Sequence, residues 1–165
     1  AQDWRVYHHG VNGGSNPEQY GMVLNSTAGQ NQNIGHWHNT APTATHFRTG
    51  TWDSGGANTS YRYLICLFAS ISGISKVGNY SGSGGVVTIT TGFQPRFIMV
   101  KKTNDVGSWH VFDTTRGMGS GNDPVLMLNN NNAQVTVDYV TPSSTGWSTT
   151  SGNLSEGDYI YYAHA

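Results

Sequence analysis

An internal repeat constrains the fold of this chain more than any other feature of its sequence. The segment Trp4 to Tyr7 reads Trp-Arg-Val-Tyr and is matched by Trp-His-Val-Phe at Trp109 to Phe112. Three further matches follow in the same order along the chain, as internal duplication would produce. They are Met22 to Asn25 with Leu126 to Asn129, Thr45 to Phe47 with Thr145 to Trp147, and Tyr63 to Ala69 with Tyr159 to Ala165. The sequence therefore predicts two related halves, residues 1–69 and 107–165, joined by residues 70–106.

The joining segment ends in the clearest hairpin signal of the chain. Pro95 cannot donate a ladder hydrogen bond and therefore suits the start of a strand, and the apolar run Phe97 to Val100 follows it. The polar link Thr103 to Ser108 then returns the chain into Trp109 to Phe112, which favours a hairpin. The first half has no counterpart of Phe93 to Lys102. We therefore expect the chain to be a fragment or processed product of a longer polypeptide.

Composition favours an all-β fold. Only 10% of the residues are charged, well below the roughly 25% of ordinary soluble domains, whereas an aromatic share of 12% argues against disorder. Apolar residues do not recur at helical spacing. We predict one antiparallel β-sandwich over residues 1–165. Its two facing sheets would bury Trp4, Phe47, Phe93, Phe97, Trp109, Phe112 and Trp147.

Several partner classes are not expected from the sequence. Basic residues are scattered and only Lys101 and Lys102 are adjacent, so a footprint for a phosphate backbone is missing and nucleic acid is not expected. No apolar run approaches the roughly 20 residues that span a bilayer, and membrane insertion is not expected. Cys66 is the only cysteine and lies in an apolar run, where we expect a small buried hydrophobe.

Catalytic patterns are weak. The chain has only two glutamates, Glu18 and Glu156, and no nucleophile elbow at a strand-to-helix turn. The glycine-rich run Ser81 to Gly85 precedes a strand, whereas phosphate-binding loops open a helix. Asp113 and Arg116 are spaced for a local ion pair. We therefore expect a protein that is not an enzyme and needs no cofactor.

The histidines allow a metal-binding hypothesis. His36 and His38 would project from one face of a strand, and His8 and His9 could add ligands. No acidic or cysteine partner recurs nearby, and the second half has no matching histidines. We therefore expect exposed loop histidines and no metal site.

Aromatic residues in polar loops are candidates for ligand binding. Tyr20, Trp37 and Trp52 lie in polar segments, with His36 and His38 beside Trp37. An aromatic ring can stack on the apolar face of a sugar while polar neighbours bond its hydroxyl groups. The alternative is that these rings pack on strand edges or on a neighbouring subunit.

The chain resembles repeats of tail-fibre and related structural proteins of tailed bacteriophages. The resemblance spans nearly the whole chain as many short motifs. In the first half and the joining segment they are Trp4 to His8, Trp37 to Thr43, Gly73 to Gly82 and Gly92 to Lys102. In the second half they are Gly107 to Trp109, Phe112-Asp113, Arg116-Gly117 and Tyr159 to Ala163.

This resemblance implies a non-enzymatic virion protein of the tail or fibre, with a β-sandwich of the lectin-like or laminin-G-like jelly-roll kind. Its expected partners are other virion subunits, further copies of itself (most simply in a trimer) and a host-surface glycan outside the cell. The alternative from another class is a carbohydrate-binding module of a secreted bacterial protein. A third hypothesis is an enzyme that uses the histidine-rich loops.

Overall fold

A computed structural model describes residues 3–50 and 62–165 of the chain. Within these ranges the regular elements are β-strands and two short 3-10 helices, Val11–Gly14 and Pro17–Gln19, and no α-helix is present. None of the helices described is long and apolar enough to cross a bilayer. The strands are β1 (Arg5–Val6), β2 (Tyr20–Val23), β3 (Asn31–Gln32), β4 (Ser75–Ser83), β5 (Thr88–Thr90), β6 (Phe97–Lys102), β7 (Trp109–Asp113), β8 (Asp123–Met127), β9 (Val135–Val137), β10 (Val140–Ser143), β11 (Gly146–Thr149) and β12 (Glu156–His164).

The strands form three antiparallel sheets. The largest has six strands in the order β4-β12-β6-β7-β8-β9, and two smaller sheets have the orders β1-β2-β3 and β10-β11-β5. Every pairing between named strands is antiparallel. The prediction of an all-β, sandwich-like antiparallel fold is therefore confirmed, and the finer jelly-roll assignment stays a prediction.

An aromatic core fills the space between the β10-β11-β5 sheet and one face of the six-stranded sheet. At its centre Trp147 is 0% exposed and meets the ring edges of Tyr80 and Tyr161 at centroid distances of 5.6 and 6.0 Å. Tyr80 also stacks on Tyr159 at 5.0 Å. Each such pair contributes about 0.5–1.5 kcal/mol beyond the burial of its area. This core fixes the second half of the chain as a sandwich.

A smaller core lies on the opposite face of the six-stranded sheet. Met22 from β2 packs there with Trp109 and Ile160, and Val11 completes the buried cluster. Because side chains alternate along a strand, Ile160 enters this core while its neighbours Tyr159 and Tyr161 enter the aromatic core. The β1-β2-β3 sheet thus forms a third layer of the fold.

The β1-β2-β3 sheet pairs in the same register as β7-β8-β9. Val6 lies opposite Met22, and their repeat counterparts Val111 and Leu126 lie opposite each other. The third strands also correspond, because Gly21 pairs with Asn31 as Val125 pairs with Val135. The two sets of strands therefore share the same pairing register.

A hydrogen bond to an asparagine is repeated as well. The amide of Trp4 donates to Asn25 Oδ1 at 3.0 Å, and the amide of Trp109 donates to Asn129 Oδ1 at 2.8 Å. In each unit the carbonyl of the same tryptophan accepts from the residue before the asparagine, at 2.9 Å in the first unit and 3.1 Å in the second. The repeat thus extends from sequence to individual hydrogen bonds.

Part of the predicted core is wrong. Phe93, Trp109, Phe112 and Trp147 are buried and Phe97 is half-buried, but Trp4 is 52% exposed and Phe47 is 39% exposed. Phe47 is exposed because it lies in no strand, whereas its counterpart Trp147 lies on β11 in a facing sheet.

The prediction that Cys66 is buried is also wrong, because its side chain is exposed. It lies in residues 62–69, which belong to no strand although they match the long strand β12. The apolar character of this segment is therefore not accompanied by burial within the part of the chain described.

The predicted ion pair is confirmed. Arg116 Nη2 lies 2.5 Å from Asp113 Oδ2, and Asp113 Oδ1 accepts the amide of Arg116 at 2.8 Å. The pair closes the turn that follows β7.

The repeated hydrogen bond provides a matched test of the fold. Asn129→Ala removes the acceptor of the Trp109 amide, and we expect it to lower the free energy of unfolding by about 1 kcal/mol. Asn25→Ala should cost less, because water can replace the acceptor beside the exposed Trp4. Urea unfolding of both variants measures the difference, and an equal or larger cost for Asn25→Ala would contradict this account.

Candidate functional site

The structure brings three of the predicted ligand-binding residues together at the β2-β3 edge. Tyr20 opens β2, and the Nε1–H of Trp37 donates to the Tyr20 carbonyl at 2.8 Å. Tyr7 presents its ring edge to Trp37 at a centroid distance of 5.6 Å and an interplanar angle of 85°. Trp37 is half-buried. Its polar atom is therefore engaged within the protein, and the ring braces the strands of the first unit.

His36 supports the same edge from inside the protein. It is 5% exposed, and its Nε2 lies 3.0 Å from the carbonyl of Asn31. A Cβ placed on Gly21 would lie 2.8 Å from His36 Nδ1, so only glycine leaves room for this ring. The expectation of an exposed loop histidine is wrong for His36, because the imidazole fills space that Gly21 leaves beside β2.

Of the other two predicted residues, His38 does not join this cluster. His38 is exposed, its backbone is left-handed with φ of 56°, and its carbonyl accepts the Thr40 hydroxyl at 2.9 Å. Trp52 lies outside the described residues. Among residues 3–50 and 62–165, no group of three or more His, Cys, Asp or Glu side chains is placed to hold a metal ion.

Tyr20 lines a groove between the first repeat unit and the link from β6 to β7. The groove has a volume of about 410 Å3. The first unit contributes Tyr20, Gly29 and Gln30, and the link between β6 and β7 contributes the rest. Those residues are Thr103, Asn104, Asp105 and Val106. The walls thus combine one aromatic ring with amide and carboxylate groups.

Backbone hydrogen bonds hold the two walls of the groove at a fixed separation. The amide of Gln30 donates to the Thr103 carbonyl at 2.7 Å, and the amide of Gly107 donates to the Thr27 carbonyl at 2.9 Å. A Cβ on Gly29 would lie 2.6 Å from the Thr103 oxygen. The close approach of the walls therefore requires glycine at this position.

Lys101 reinforces the junction from a buried position. Its Nζ donates to the carbonyls of Lys102 at 2.8 Å and Thr27 at 3.2 Å. Burial lowers the pKa of Lys101 to about 8, and the nearby charge of Asp105 opposes that shift. A buried lysine head group needs such acceptors, because an unpaired charge inside a protein is costly.

His8 forms a second polar link between the units. It is 9% exposed, its Nδ1 accepts the Gly10 amide at 2.9 Å, and its Nε2 lies 3.3 Å from the Tyr161 carbonyl. A histidine with a protonated Nδ1 could not accept from Gly10, so this arrangement fits the neutral ring with its proton on Nε2. The expectation of exposed histidines is wrong for His8 too, because the ring is enclosed at the junction with β12.

A second, larger groove of about 550 Å3 lies at the other end of the six-stranded sheet. Its walls include Phe97, which stacks on His164 at 4.8 Å, and the ion-paired residues Asp113 and Arg116. It lies within the second half and joining segment, whereas the smaller groove is lined by the first unit and the joining segment. The smaller groove also contains Tyr20, which the sequence singled out.

Sequence reasoning missed most of the groove. Gln30, Asn104 and Asp105 were ordinary polar residues of loops, and Lys101 and His8 were not assigned to a junction. The repeat was the available signal, since two related units that pack together create a seam between them. Which loops meet at that seam depends on the packing of Met22 against Ile160, which no short motif encodes.

Comparison with known families places the whole chain in one of them. A family described as a domain of unknown function, DUF7483, matches residues 1–165. The chain belongs to the DUF7483 family. No curated protein and no solved structure matched the chain. The function of this DUF7483 domain must therefore be argued from its own surfaces.

Two histidines of the DUF7483 domain, the buried His8 and the half-buried His110, predict acid sensitivity. Burial lowers the pKa of His8 and that of His110 to about 4, below the ordinary value of about 6.5. Between these values the unfolded chain binds protons that the folded chain does not, so stability falls as the pH is lowered. We expect each histidine to add a slope of up to about 1.4 kcal/mol per pH unit between pH 6.5 and 5.

The variant His8→Asn tests this assignment. An asparagine side chain can still accept and donate a hydrogen bond but does not titrate. Urea unfolding at several pH values should give a smaller slope for His8→Asn than for the wild-type protein, and also for His110→Asn. Slopes equal to that of the wild-type protein would show that these rings do not cause the acid sensitivity.

Proposed function

We propose that this domain is a non-catalytic structural domain of a phage tail or tail-fibre protein that binds host-surface glycans. The groove between the first repeat unit and the link from β6 to β7 is the observation on which the binding role depends. Sugar sites combine an aromatic surface with a few fixed polar groups, in a pocket that is already formed in the free protein. Tyr20 with Gln30, Asn104 and Asp105 provides such a combination.

The chemistry of the groove favours a neutral, hydroxyl-rich ligand. The Asp105 carboxylate can accept hydrogen bonds from hydroxyl groups. Its Oδ2 lies 3.9 Å from Lys102 Nζ, and the positive charge of that lysine balances the charge of the carboxylate. The Asn104 Oδ1 is engaged by the Asp158 amide at 3.2 Å, so its position is fixed while its NH2 group remains a potential donor. Neutral hexoses present alternating donor and acceptor hydroxyl groups that suit these partners.

Exposed apolar side chains support the assembly part of the proposal. Leu64 is 74% exposed, Leu67 is 76% exposed and Phe68 is 58% exposed, within five residues of one another. Clustered apolar surface of this kind marks protein interaction sites in soluble proteins. It fits a domain that functions among other virion subunits, including further copies of itself in a homo-oligomer.

The carbohydrate-binding module of a secreted bacterial protein is the alternative that shares the same groove. The polypeptide around the domain separates the two proposals, because neighbouring tail-assembly sequence favours the virion role and a catalytic domain favours the alternative. Identifying the parent polypeptide would therefore decide between them, whatever the glycan.

Glycan-array binding with paired variants tests the groove. We expect Asp105→Asn to weaken binding of neutral glycans about tenfold or more, because a hydrogen bond to a charged group contributes about 1.5–3 kcal/mol. Tyr20→Leu should also weaken binding, because it removes the aromatic ring but keeps an apolar side chain against the small core.

Matched controls lie outside the groove. Asp138 is exposed and Tyr139 is half-buried, so Asp138→Asn and Tyr139→Leu repeat the two chemical changes elsewhere. Circular dichroism establishes that all four variants are folded. Equal glycan binding by the groove variants and the controls, or no binding by the wild-type domain to any neutral glycan, would overturn the adhesion proposal.

A further inference from the structure

The larger groove contains a row of neighbouring side chains that crosses three strands. His164 of β12 lies opposite Phe97 of β6, and Phe97 lies opposite Asp113 of β7. Directly opposed residues of antiparallel strands project from the same face of the sheet, and all three line the groove. The rings of Phe97 and His164 stack with their centroids 4.8 Å apart and an interplanar angle of 1°. The pairing of the strands therefore fixes this part of the groove.

The turn after β7 holds an arginine beside this row. Arg116 Nη2 lies 2.5 Å from Asp113 Oδ2 and donates to the Val111 carbonyl at 3.4 Å. Asp113 also accepts the Arg116 amide through Oδ1 at 2.8 Å, and its carbonyl accepts the Met118 amide at 2.9 Å. The contacts of the described residues thus fix the guanidinium group through Nη2 and leave its Nη1 donors unused.

A second arginine lines the groove just before β6. The Arg96 amide donates to the His164 carbonyl at 2.8 Å, and the Arg96 carbonyl accepts the Thr114 amide at 2.9 Å. These bonds fix the backbone of Arg96 between β12 and the turn after β7. Its side chain is exposed, and within residues 3–50 and 62–165 no hydrogen bond or ion pair engages it. The Arg96 guanidinium group is therefore available to a ligand.

The side chains of the groove carry a surplus of positive charge. Arg96 and Arg116 are accompanied by one carboxylate, that of Asp113, whereas Thr114 and Thr115 are uncharged. A surplus of one positive charge suits a ligand with a single carboxylate group. Guanidinium groups bind carboxylates well, because their planar N–H donors match the two carboxylate oxygens.

The backbone around the groove favours a sugar over a peptide as the bearer of that carboxylate. Arg96 uses both its amide and its carbonyl within the protein, and the Thr114 carbonyl accepts the Gly117 amide at 3.2 Å. A peptide that binds as an added strand needs unpaired backbone groups. The groove instead offers the hydroxyl groups of Thr114 and Thr115, both exposed, and the imidazole of His164. These side chains can exchange hydrogen bonds with sugar hydroxyl groups.

We propose that the larger groove binds an acidic sugar through its carboxylate group. Arg96 and the Nη1 group of Arg116 would hold the carboxylate, and Thr114 and Thr115 would bond hydroxyl groups of the sugar ring. The groove volume of about 550 Å3 lies within the range of small-molecule sites. This proposal rests on the proposed role in glycan adhesion and adds a second site, for a second class of sugar.

Matched pairs of sugars test the proposal. Methyl glycosides of glucuronic, galacturonic and mannuronic acid carry a carboxylate where the corresponding hexosides carry a CH2OH group. Titrations followed by the amide NMR signals of Arg96, Thr115 and His164 measure binding at this groove. We expect at least one acid to bind about tenfold or more tightly than its hexoside, because hydrogen bonds to charged groups are the stronger ones. Equal binding within every pair, or no binding of any acid, would overturn the proposal.

A pair of arginine variants locates the binding. Arg96→Gln removes the charge of an exposed side chain and keeps the backbone bonds, so the variant is expected to fold. It should weaken binding of the acidic sugar about tenfold or more. Arg48 is exposed and does not line the groove, so Arg48→Gln should bind as the wild-type domain does. Equal affinities of the two variants would contradict the assignment of Arg96.

Competition shows which part of the ligand is recognised. Inorganic phosphate offers negative charge without a sugar ring, and a capped tripeptide with a central glutamate offers a carboxylate on a peptide. Neither should displace the acidic sugar when added at the same concentration. Displacement by phosphate would show recognition of charge alone and overturn the proposal, and displacement by the tripeptide would overturn it in favour of an acidic peptide.

Failure of this proposal is distinguishable from failure of the proposed function. The acidic-sugar assay depends on Arg96, whereas the neutral-glycan assay depends on Tyr20 and Asp105. Binding of neutral glycans without acidic sugars would remove the second site alone. Binding of acidic sugars without neutral glycans would remove the role proposed for the smaller groove and support the site in the larger groove.

Discussion

The fold depends on burial of both faces of the central strand β12. Tyr159, Tyr161 and Ala163 enter the aromatic core, and Ile160 enters the small core behind it. A strand that is apolar on both faces can lie in the middle of three layers only if a separate sheet covers each face. The second unit supplies one cover through β10-β11-β5, and the first unit supplies the other through β1-β2-β3. The two repeat units are therefore related in sequence and register but unequal in structure.

This inequality explains which sequence predictions succeeded. Val6 and Val111 occupy equivalent places because local strand pairing follows the local pattern of apolar residues. The prediction failed for Phe47 because Phe47 lies in no strand, whereas its counterpart Trp147 lies on β11 and is buried against a facing sheet. Whether an aromatic residue in a strand-like segment is buried depends on a second layer, and a repeat in sequence does not guarantee that both copies have one. The all-β class was predictable from composition and periodicity, whereas the three-layer arrangement was not.

The candidate groove was only partly predictable for a related reason. Tyr20 stood out because it is an aromatic residue in a polar segment, and the structure places Trp37 and His36 beside the same strand. Their polar atoms, however, bond to the backbone of the first unit, at the Tyr20 carbonyl for Trp37 and the Asn31 carbonyl for His36. The groups left to face a ligand belong to the loop after β6, which approaches Tyr20 only when the two units pack. Loop sequence indicates polarity, but it does not indicate which loops meet.

Buried polar groups mark the seam between the units more reliably than any motif. Lys101 and His8 are each enclosed, and each bonds a backbone carbonyl contributed by the other unit. A lysine or histidine in a β-strand region normally faces water, and its burial is tolerable only when its hydrogen bonds are satisfied. Such residues make the packing specific, because sliding one sheet over the other would break the hydrogen bonds of Lys101 to Thr27 and of His8 to Tyr161. The apolar contact of Met22 with Ile160 favours packing of the sheets but does not fix their alignment. The polar contacts fix the alignment in which the groove beside Tyr20 forms.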